Sequence, residues 1–397
     1  MSRQRVIVHI DVNSAFLSWS AVKLLEEGDG DIRLVPSVVA GDPSDRRSII
    51  TAASIPAKKL GIRTAQPVTM ALRTCPGLKI VRADWAWYKR CSDGFMDICR
   101  SYSPVLQKFS IDECFIDMSL HLGGKDPVAV ASELKDRIHS ELGFTVNVGI
   151  GSNKLLAKMA SDFEKPDKVH TLWLEEVPAK MWPLAVRDLL WVGEKTEERL
   201  ASYRIRTIGD LAKTSIGVLE GIVGMKFAHQ LHENANGLDD SPVETEIQEA
   251  KSISAERTFA QDIMKPEELD KAFFKVACVV AHRLRRVGLH CSCVSIFVKH
   301  KDFSVAQKQH QTLRPTDVTA EILNEARDLL PQIWDRETPV RQVGLAVSKL
   351  SRENAIQMTL FEDEKIEYYR KWDQDYDRRM STAEDARLLA YERKPGE

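Results

Sequence analysis

The chain has 397 residues, 43% of them hydrophobic and 29% charged, a composition typical of a folded protein with two or more domains. No stretch reaches the roughly 20 apolar residues that span a bilayer, and the N-terminal pattern is not that of a signal peptide, so we expect a cytoplasmic protein without membrane contact. The seven cysteines lack the spacing of a metal site or a disulfide framework, which favours buried thiols. The 56 Lys and Arg residues are nearly balanced by 58 Asp and Glu, so the net charge is close to zero. Such a chain can bind DNA only if its basic groups share one face.

The first 170 residues alternate predicted strands with predicted helices. A buried strand over 5–12 ends near a carboxylate, and a strand-like alternation with an acidic centre covers 105–118. Another strand is predicted over 144–151, and helices are predicted over 15–26, 85–101, 127–143 and 153–163. This order predicts an α/β or α+β layer fold.

An internal repeat follows, in which 189–200 aligns with 220–231. Each copy is an apolar turn whose glycine, Gly193 or Gly224, leads into a helix. Such a turn exposes backbone N–H groups that can hold a phosphate, so the pair indicates a helix-hairpin-helix that grips DNA without reading sequence. The alternative is that each glycine only separates two packed helices.

The last third begins after a polar segment with the composition of a linker, 241–250. Residues 251–350 predict the order β-α-β-β-α-β, which is a ferredoxin-like unit with its own core.

Three carboxylates are candidates for metal-dependent chemistry. Asp11 closes an apolar strand, and the Asp112-Glu113 doublet lies inside an apolar segment, where like charges repel unless a cation neutralises them. On neighbouring strands they could hold two divalent ions, with Mg²⁺ or Mn²⁺ preferred by hard oxygen ligands. The alternatives are a helix cap for Asp11 and a solvated surface position for the doublet.

These segments resemble the successive motifs of Y-family DNA polymerases, with the bacterial DNA polymerase IV branch as the best match. The motifs are HIDVNSAF, AAS-x-PAKKLGI, FSIDECFID, VGIGSNKLLAKMASDFEKP and WVGEKT, in family order over about 350 residues. The resemblance implies error-prone DNA synthesis past damaged bases, from dNTP on primer-template DNA, without proofreading. It also implies two Mg²⁺ ions, with Mn²⁺ as a substitute, and a monomer associated with the nucleoid.

The resemblance assigns a role to individual residues of this chain. Asp11, Asp112 and Glu113 would be the catalytic carboxylates and metal ligands, and Val12 would offer a backbone carbonyl. Phe16 would be the steric gate against ribonucleotides. Lys58 and Lys165 would bind the triphosphate, since no Walker-type loop is present. The residues expected on the DNA backbone are Gly193, Lys195, Gly224, Lys226 and Lys251.

The implied architecture is an α+β multidomain, right-hand polymerase with palm, fingers, thumb and little finger. The expected boundaries are palm 1–18 and 80–168, fingers 19–79, helix-hairpin-helix thumb 169–240, linker 241–250, ferredoxin-like little finger 251–350 and tail 351–397. Within the tail, Gln357, Leu360 and Phe361 resemble the peptide by which bacterial polymerases bind the sliding clamp.

Several positions depart from the common family pattern and are expected to alter nucleotide affinity or lesion preference. Ile55 stands where a Tyr is frequent, and Lys58 replaces an Arg. Asn13-Ser14-Ala15 and Cys114-Phe115 also differ. Two other functions stay open, a nucleotidyl cyclase with a palm-like fold and a non-catalytic DNA-binding protein recruited by the clamp.

Overall fold

The computed structural model describes residues 5–45, 47–246, 249–352 and 363–380. The chain divides into two compact units, Met1–Ile247 and Gln248–Glu397. Within the described ranges, every helix is too short or too polar to traverse a bilayer. All seven cysteines are free thiols, and six of them are buried, as the composition predicts.

The first unit contains eight named strands and ten α-helices in its described residues. In chain order the strands are β1 (Ile7–Val12), β2 (Ser37–Ala40), β3 (Ile50–Ala53), β4 (Lys79–Val81), β5 (Leu106–Lys108), β6 (Glu113–Asp117), β7 (Val146–Gly151) and β8 (Val169–Leu172). The helices are α1 (Ala15–Glu26), α2 (Ile55–Lys59), α3 (Val68–Thr74), α4 (Trp85–Tyr102), α5 (Pro127–Leu142), α6 (Lys154–Ser161), α7 (Glu194–Ser202), α8 (Ile208–Lys213), α9 (Ile216–Val223) and α10 (Met225–Ala235). The four helices predicted before residue 170 are therefore confirmed as α1, α4, α5 and α6.

A five-stranded sheet in the order β5-β6-β1-β7-β8 forms the centre of this unit. Its middle strand, β1, is buried along its whole length and pairs antiparallel with β6 and β7. Alternate residues of β1 face opposite sides, so Val8 and Ile10 pack against α4 and α5 while Ile7 and His9 face α6. By the same alternation, Asp11 lies on the α6 side.

The strand-like segment 105–118 is a tight hairpin of two strands, and its acidic centre lies at the turn. Strand β5 ends at Lys108 and β6 begins at Glu113, because the backbone N–H groups of Phe109 and Ser110 both donate to the carbonyl of Glu113, at 3.0 and 3.1 Å. Phe109 is 40% exposed, so the apolar character of this segment does not bury the acidic turn.

Helix α6 lies unusually close to β7. A Cβ built on Gly149 would be 2.0 Å from the carbonyl oxygen of Ala157, and one on Gly151 would be 2.7 Å from the Ala157 backbone nitrogen. Only glycine permits this approach of a helix backbone to a strand. The consequence is that the side chains of α6 reach across the sheet surface toward β1 and β6.

Two smaller modules complete the first unit. A three-stranded sheet in the order β3-β2-β4 packs with α2 and α3 around a core that includes Ile50 and Ile62. Helices α7 to α10 form a separate helical cluster. The repeated leucines of the internal repeat, Leu200 and Leu231, are both fully buried in it.

The second unit contains β9 (Ser252–Ile263), α11 (Pro266–Arg286), β10 (His290–His300), β11 (Val305–Thr316), α12 (Thr319–Leu329), β12 (Val340–Ser351) and α13 (Asp363–Arg379). The β-α-β-β-α-β order predicted for 251–350 is confirmed. The sheet order is β11-β10-β12-β9 with antiparallel neighbours, so each β-α-β connection straddles one strand. Helices α11 and α12 pack on one face, over a core that includes Phe273, Val294 and Leu345.

The last helix, α13, is attached to the second unit by buried polar contacts. Arg285 of α11 donates to Asp377 through Nε and Nη2, each at 2.7 Å, and lies 3.2 Å from Asp373. The backbone N–H of Thr319 also donates to Asp373, at 3.1 Å. The charged helix of the tail is therefore held on the domain that precedes it.

Candidate active site

A cleft of about 550 Å³ opens where β1 ends and α1 begins. The central sheet, the small sheet and the segment after α6 all contribute to its walls. The residues that line the cleft are Asp11, Val12, Asn13, Ser14, Ala15, Phe16, Thr51, Ala52, Ala53, Ile55, Lys58, Thr64, Asp112, Lys165 and Pro166. Six of them were named as functional candidates from the sequence, and four others, Asn13, Ser14, Ala15 and Ile55, as departures from the family pattern. Distant parts of the chain therefore meet here.

Asp11 is the penultimate residue of β1, and only 8% of it is exposed. Its neighbours across the sheet are Glu113 on β6 and Asn147 on β7. Burial raises the pKa of Asp11, and the ammonium group of Lys165, bonded to Oδ2, opposes that rise. A carboxylate in this position requires a neighbouring cation to stay ionised.

Asp112 and Glu113 occupy the hairpin turn beside the end of β1. The hydroxyl of Ser110 donates to Oδ1 of Asp112 at 2.6 Å, and the backbone N–H of Val12 donates to the Asp112 carbonyl at 3.0 Å. These bonds fix Asp112 at the edge of the cleft. Glu113 begins β6, and its Oε1 accepts a hydrogen bond from Lys158 of α6 at 2.8 Å.

Lys158, Lys165 and Asp162 link Glu113 to Asp11 in a chain of alternating charges. Lys165 lies 2.8 Å from Oδ1 of Asp162, and Lys158 lies 3.4 Å from its Oδ2. Burial lowers the pKa of both lysines, but the adjacent carboxylates outweigh it and the net shift is upward. Both ammonium groups therefore stay charged and balance the acidic side chains.

The three predicted carboxylates are neighbours, but they do not enclose a common point. In the part of the chain that the structure describes, no three acidic, His or Cys side chains are gathered closely enough to hold a metal ion. Asp11 and Asp112 line the cleft, whereas Glu113 is bonded to Lys158. The donor set still fits a hard divalent cation, because the buried carboxylate of Asp11 needs a neighbouring positive charge. Val12 adds a backbone oxygen donor, since its side chain packs in the core on the other side of the sheet and its backbone lines the cleft.

Phe16 is half-buried at the wall of the cleft within a cluster of aromatic rings. Its ring centroid lies 5.1 Å from Tyr88 in a stacked arrangement, 5.2 Å from Trp85 and 5.9 Å from Trp19. Three rings that support one another in this way fix the orientation of Phe16. A rigid ring can therefore face whatever enters the cleft.

Lys58 reaches the cleft from the small sheet module. Its Nζ donates to the hydroxyl of Ser14 at 3.0 Å, and the lysine is otherwise exposed. Ile55, one turn earlier, is 49% exposed and also lines the cleft. Lys58 and Lys165 thus place two positive charges along one cavity that also contains carboxylates.

The two glycine turns of the internal repeat differ in backbone conformation. Gly224 has φ +86° between α9 and α10, whereas Gly193 has φ −90° before α7. Both glycines are open to solvent, and Lys195 and Lys226 beside them are exposed. Lys251 is exposed at the start of the second unit.

Comparison with known proteins gives matches along most of the chain. Residues 10–162 match a model of the impB/mucB/samB family, 250–360 match that family's C-terminal domain, and 187–239 match a DNA polymerase-iota thumb domain. DNA polymerase IV of Clostridium acetobutylicum is 39% identical over 367 residues, which is 91% of each chain. DNA polymerase IV 1 of Bacillus subtilis is 34% identical over 92% of this chain and 88% of its own.

The chain belongs to the DNA polymerase IV branch of the Y family. It is a DNA-directed DNA polymerase, which confirms the family expected from the sequence motifs. A Y-family DNA polymerase chimera of Dbh and Dpo4 has the same fold, with a TM-score of 0.76 and 20% identity over 88% of this chain and 100% of the chimera. The α+β polymerase architecture is thus confirmed as well.

The clamp-binding peptide expected at Gln357, Leu360 and Phe361 lies outside the described residues. It stays a prediction from the sequence.

Sequence reasoning missed two polar residues that hold the polymerase site together, Lys158 and Asn147. Lys158 contacts Glu113, and Asn147 is fully buried beside Asp11 with Asn13 bonded to it. A signal for Asn147 was present, because an amide in the middle of the buried strand 144–151 must be hydrogen-bonded. The sequence offered no comparable signal for Lys158, since lysines are usually solvated.

Proposed function

We propose that the cleft at the end of β1 adds deoxynucleotides from dNTP to a primer 3′-hydroxyl, opposite template bases that include damaged ones. The observation that carries this proposal is the meeting of Asp11 and Asp112 with Lys58, Lys165 and Phe16 in one cavity. Acidic groups for cations, basic groups for a triphosphate and a ring for a sugar are what nucleotidyl transfer requires.

Asp11 and Asp112, with the Val12 carbonyl and with Glu113 once it leaves Lys158, would hold two Mg²⁺ ions, for which Mn²⁺ could substitute. When bound, such ions would supply activation of the attacking hydroxyl and stabilisation of the leaving pyrophosphate. The burial of Asp11 supports this role, because a buried carboxylate is destabilised unless a cation neutralises its charge. Lys158 and Lys165 balance the carboxylates before any ion binds.

Lys58 and Lys165 would bind the triphosphate as point charges. Since Lys165 is bonded to Asp11 and Asp162 in the structure, it exchanges a carboxylate for phosphate oxygens when the nucleotide enters. Phe16 would pack against the sugar at C2′ and reject ribonucleotides, because a 2′-hydroxyl pressed against a ring has neither room nor a hydrogen-bond partner.

The modules would take the roles of a right-hand polymerase. The palm would be 1–18 and 80–168, the fingers 19–79, the thumb 169–240, the linker 241–250 and the little finger 251–350. Backbone groups at Gly193 and Gly224, with Lys195, Lys226 and Lys251, would hold DNA phosphates; the exposure of all five supports this role. Because each of these modules is assigned to synthesis or DNA binding, we propose that extension proceeds without proofreading and is error-prone.

The enzyme would act as a monomer at the nucleoid, recruited to the sliding clamp through Gln357, Leu360 and Phe361. The sequence supports the clamp contact, since a Leu-Phe pair within a charged segment is a typical anchor for a partner pocket.

Primer extension by an Asp112→Asn variant tests the proposal. We expect extension to fall by at least about a thousandfold while primer-template affinity is retained, because the carboxylate acts on the reacting groups rather than on DNA. Asp117→Asn is the matched control, since Asp117 ends β6, the strand that follows Asp112, and pairs with Ile7 at the opposite end of β1 from the cleft. An amide oxygen at this position can still accept from the backbone N–H of Ser119. Extension at the wild-type rate by Asp112→Asn, or cyclisation of a nucleotide by the wild type without extension, would overturn the proposal.

A further inference from the structure

Asn147 is the second residue of β7 and has no exposed surface, and all four of its hydrogen-bonding positions are used. Its Nδ2 donates to the carbonyl of Ser161 at 3.0 Å and to that of Glu164 at 2.6 Å. Its Oδ1 accepts from Nδ2 of Asn13 at 3.0 Å and, at a longer 3.4 Å, from the backbone N–H of Lys168. One buried amide thus joins β7 to the end of α6 and to the segment that follows.

Asn13 extends this connection to the end of β1. Its Oδ1 accepts a hydrogen bond from the backbone N–H of Asp167 at 3.0 Å. Its own backbone N–H donates to the carbonyl of Thr145 at 3.0 Å, which fixes Asn13 against the strand that carries Asn147. The two amides therefore bind the segment 162–168 at three points, namely Glu164, Asp167 and Lys168.

Lys165 and Pro166 lie between Glu164 and Asp167, and both line the cleft, Lys165 with the only charged side chain of the two. Its ammonium group contacts Asp11 and Asp162. The backbone that carries it has hydrogen bonds to the two amides on both sides, at Glu164 and at Asp167. A long side chain reaches a defined place only if its backbone is held, so the position of Lys165 depends on the two asparagines.

We propose that Asn13 and Asn147 are positioning residues that hold Lys165 in place for the triphosphate of the incoming nucleotide. This inference rests on the triphosphate role proposed above for Lys165. Neither asparagine touches the reacting groups in this role. Each acts through the segment 162–168. An amide is required at both positions because each side chain donates hydrogen bonds through its nitrogen and accepts them through its oxygen.

The test measures the Kd of dNTP in a ternary complex with a dideoxy-terminated primer, using Asn147→Asp, Asn13→Ala, Lys165→Ala and the Asn147→Asp/Lys165→Ala double variant. Asp is nearly isosteric with Asn but cannot donate to the two carbonyls. We expect each single variant to raise the dNTP Kd, by about tenfold for the asparagines. The double variant should match Lys165→Ala alone, because a residue that acts through Lys165 has no effect once the lysine is removed.

Asn153→Asp is the matched control for a buried amide. Asn153 caps the opposite end of α6, with its Nδ2 bonded to the carbonyl of Gly237 at 2.8 Å, and has no bond to the segment 162–168. It should leave the dNTP Kd unchanged. Asn13 is only half-buried, so the Asn13→Ala variant can still be measured if Asn147→Asp does not fold.

Three results would overturn the inference. An unchanged dNTP Kd in Asn147→Asp and Asn13→Ala, with a raised Kd in Lys165→Ala, would overturn the positioning role and keep the function proposed for Lys165. Full additivity in the double variant would do the same. An unchanged Kd in Lys165→Ala would overturn the lysine's triphosphate role, and the positioning inference with it.

Discussion

Gly149→Ala should separate helix α6 from the sheet and disorganise the active site. The new Cβ would lie 2.0 Å from the carbonyl oxygen of Ala157 and 2.4 Å from the backbone nitrogen of Ser161. Backbone atoms cannot rotate away as a side chain can, so the helix must move by roughly 1 Å or more to restore normal contact distances. We expect a loss of about 1–3 kcal/mol or more in the free energy of unfolding, the usual result of overpacking.

The same displacement should reduce catalysis. Lys158 lies on α6 at 2.8 Å from Glu113, so a shift of this size breaks that hydrogen bond and moves the segment that carries Lys165. A misplacement of about 1 Å at a catalytic group can lower the rate by about a hundredfold, and we expect a decrease of that order in kcat for primer extension.

The assays are urea denaturation and steady-state primer extension, with Gly94→Ala as the matched control. Gly94 lies inside α4, and its new Cβ would meet only the Leu142 side chain, at an ordinary 3.5 Å. That variant should be unaffected or more stable by about 0.5–1 kcal/mol, because alanine favours a helix interior. Wild-type stability and kcat in Gly149→Ala would refute the argument that glycine enables the approach of α6.

Three further changes have expected outcomes of their own. Phe16→Ala should raise the efficiency of ribonucleotide incorporation relative to deoxynucleotides by about a hundredfold, measured as the ratio of kcat/KM values. Deletion of 357–361 should leave synthesis without the clamp unchanged and abolish stimulation by the clamp. Asp377→Asn should destabilise the second unit by about 1.5–3 kcal/mol at neutral pH, because it weakens charge-assisted bonds to Arg285 and His282. Burial raises the pKa of Asp377, but the bonds to Arg285 and His282 outweigh burial, and the net shift of the pKa is downward. The stabilisation that Asp377 contributes is therefore present above the ordinary carboxyl pKa and is lost as the pH falls through the pKa of the folded state.

Each of these expectations has a distinct contrary result. Unchanged sugar selectivity in Phe16→Ala would contradict the steric gate, and stimulation that survives the deletion would contradict the clamp peptide. For Asp377→Asn, the difference in urea midpoint from the wild type should shrink in acid. A difference that is constant between neutral and acidic pH would contradict the ion-pair explanation.

The parts of the fold that follow from periodicity could be predicted from the sequence. Helix α1 begins and ends at the predicted residues because Gly28 and the Asn13-Ser14 pair interrupt the pattern on either side. The β-α-β-β-α-β unit was also predictable, since its strands and helices differ clearly in period and length. The position of Asp11 at the cleft followed from its place near the end of an apolar strand.

The contacts between distant segments could not be predicted from these local signals. The hairpin at Phe109–Glu113 is a local feature that was also hard to predict, because the strand-like alternation of 105–118 conceals its backbone hydrogen bonds. Lys158 meets Glu113 only because glycines on β7 admit α6, and the attachment of α13 depends on Arg285, whose partners are about ninety residues later in the chain. Such pairings are set by tertiary packing, which periodicity along one segment does not encode.

The central claim is that Asp11, Asp112 and Glu113 together bind the catalytic cations. Titration of Mn²⁺, followed by electron paramagnetic resonance in the presence of primer-template DNA and dNTP, tests it most directly. We expect about two bound ions per chain for the wild type and a clear loss of binding in Asp11→Asn/Asp112→Asn, while Asp117→Asn binds as the wild type does. Equal Mn²⁺ binding by the wild type and the Asp11→Asn/Asp112→Asn variant would contradict the claim.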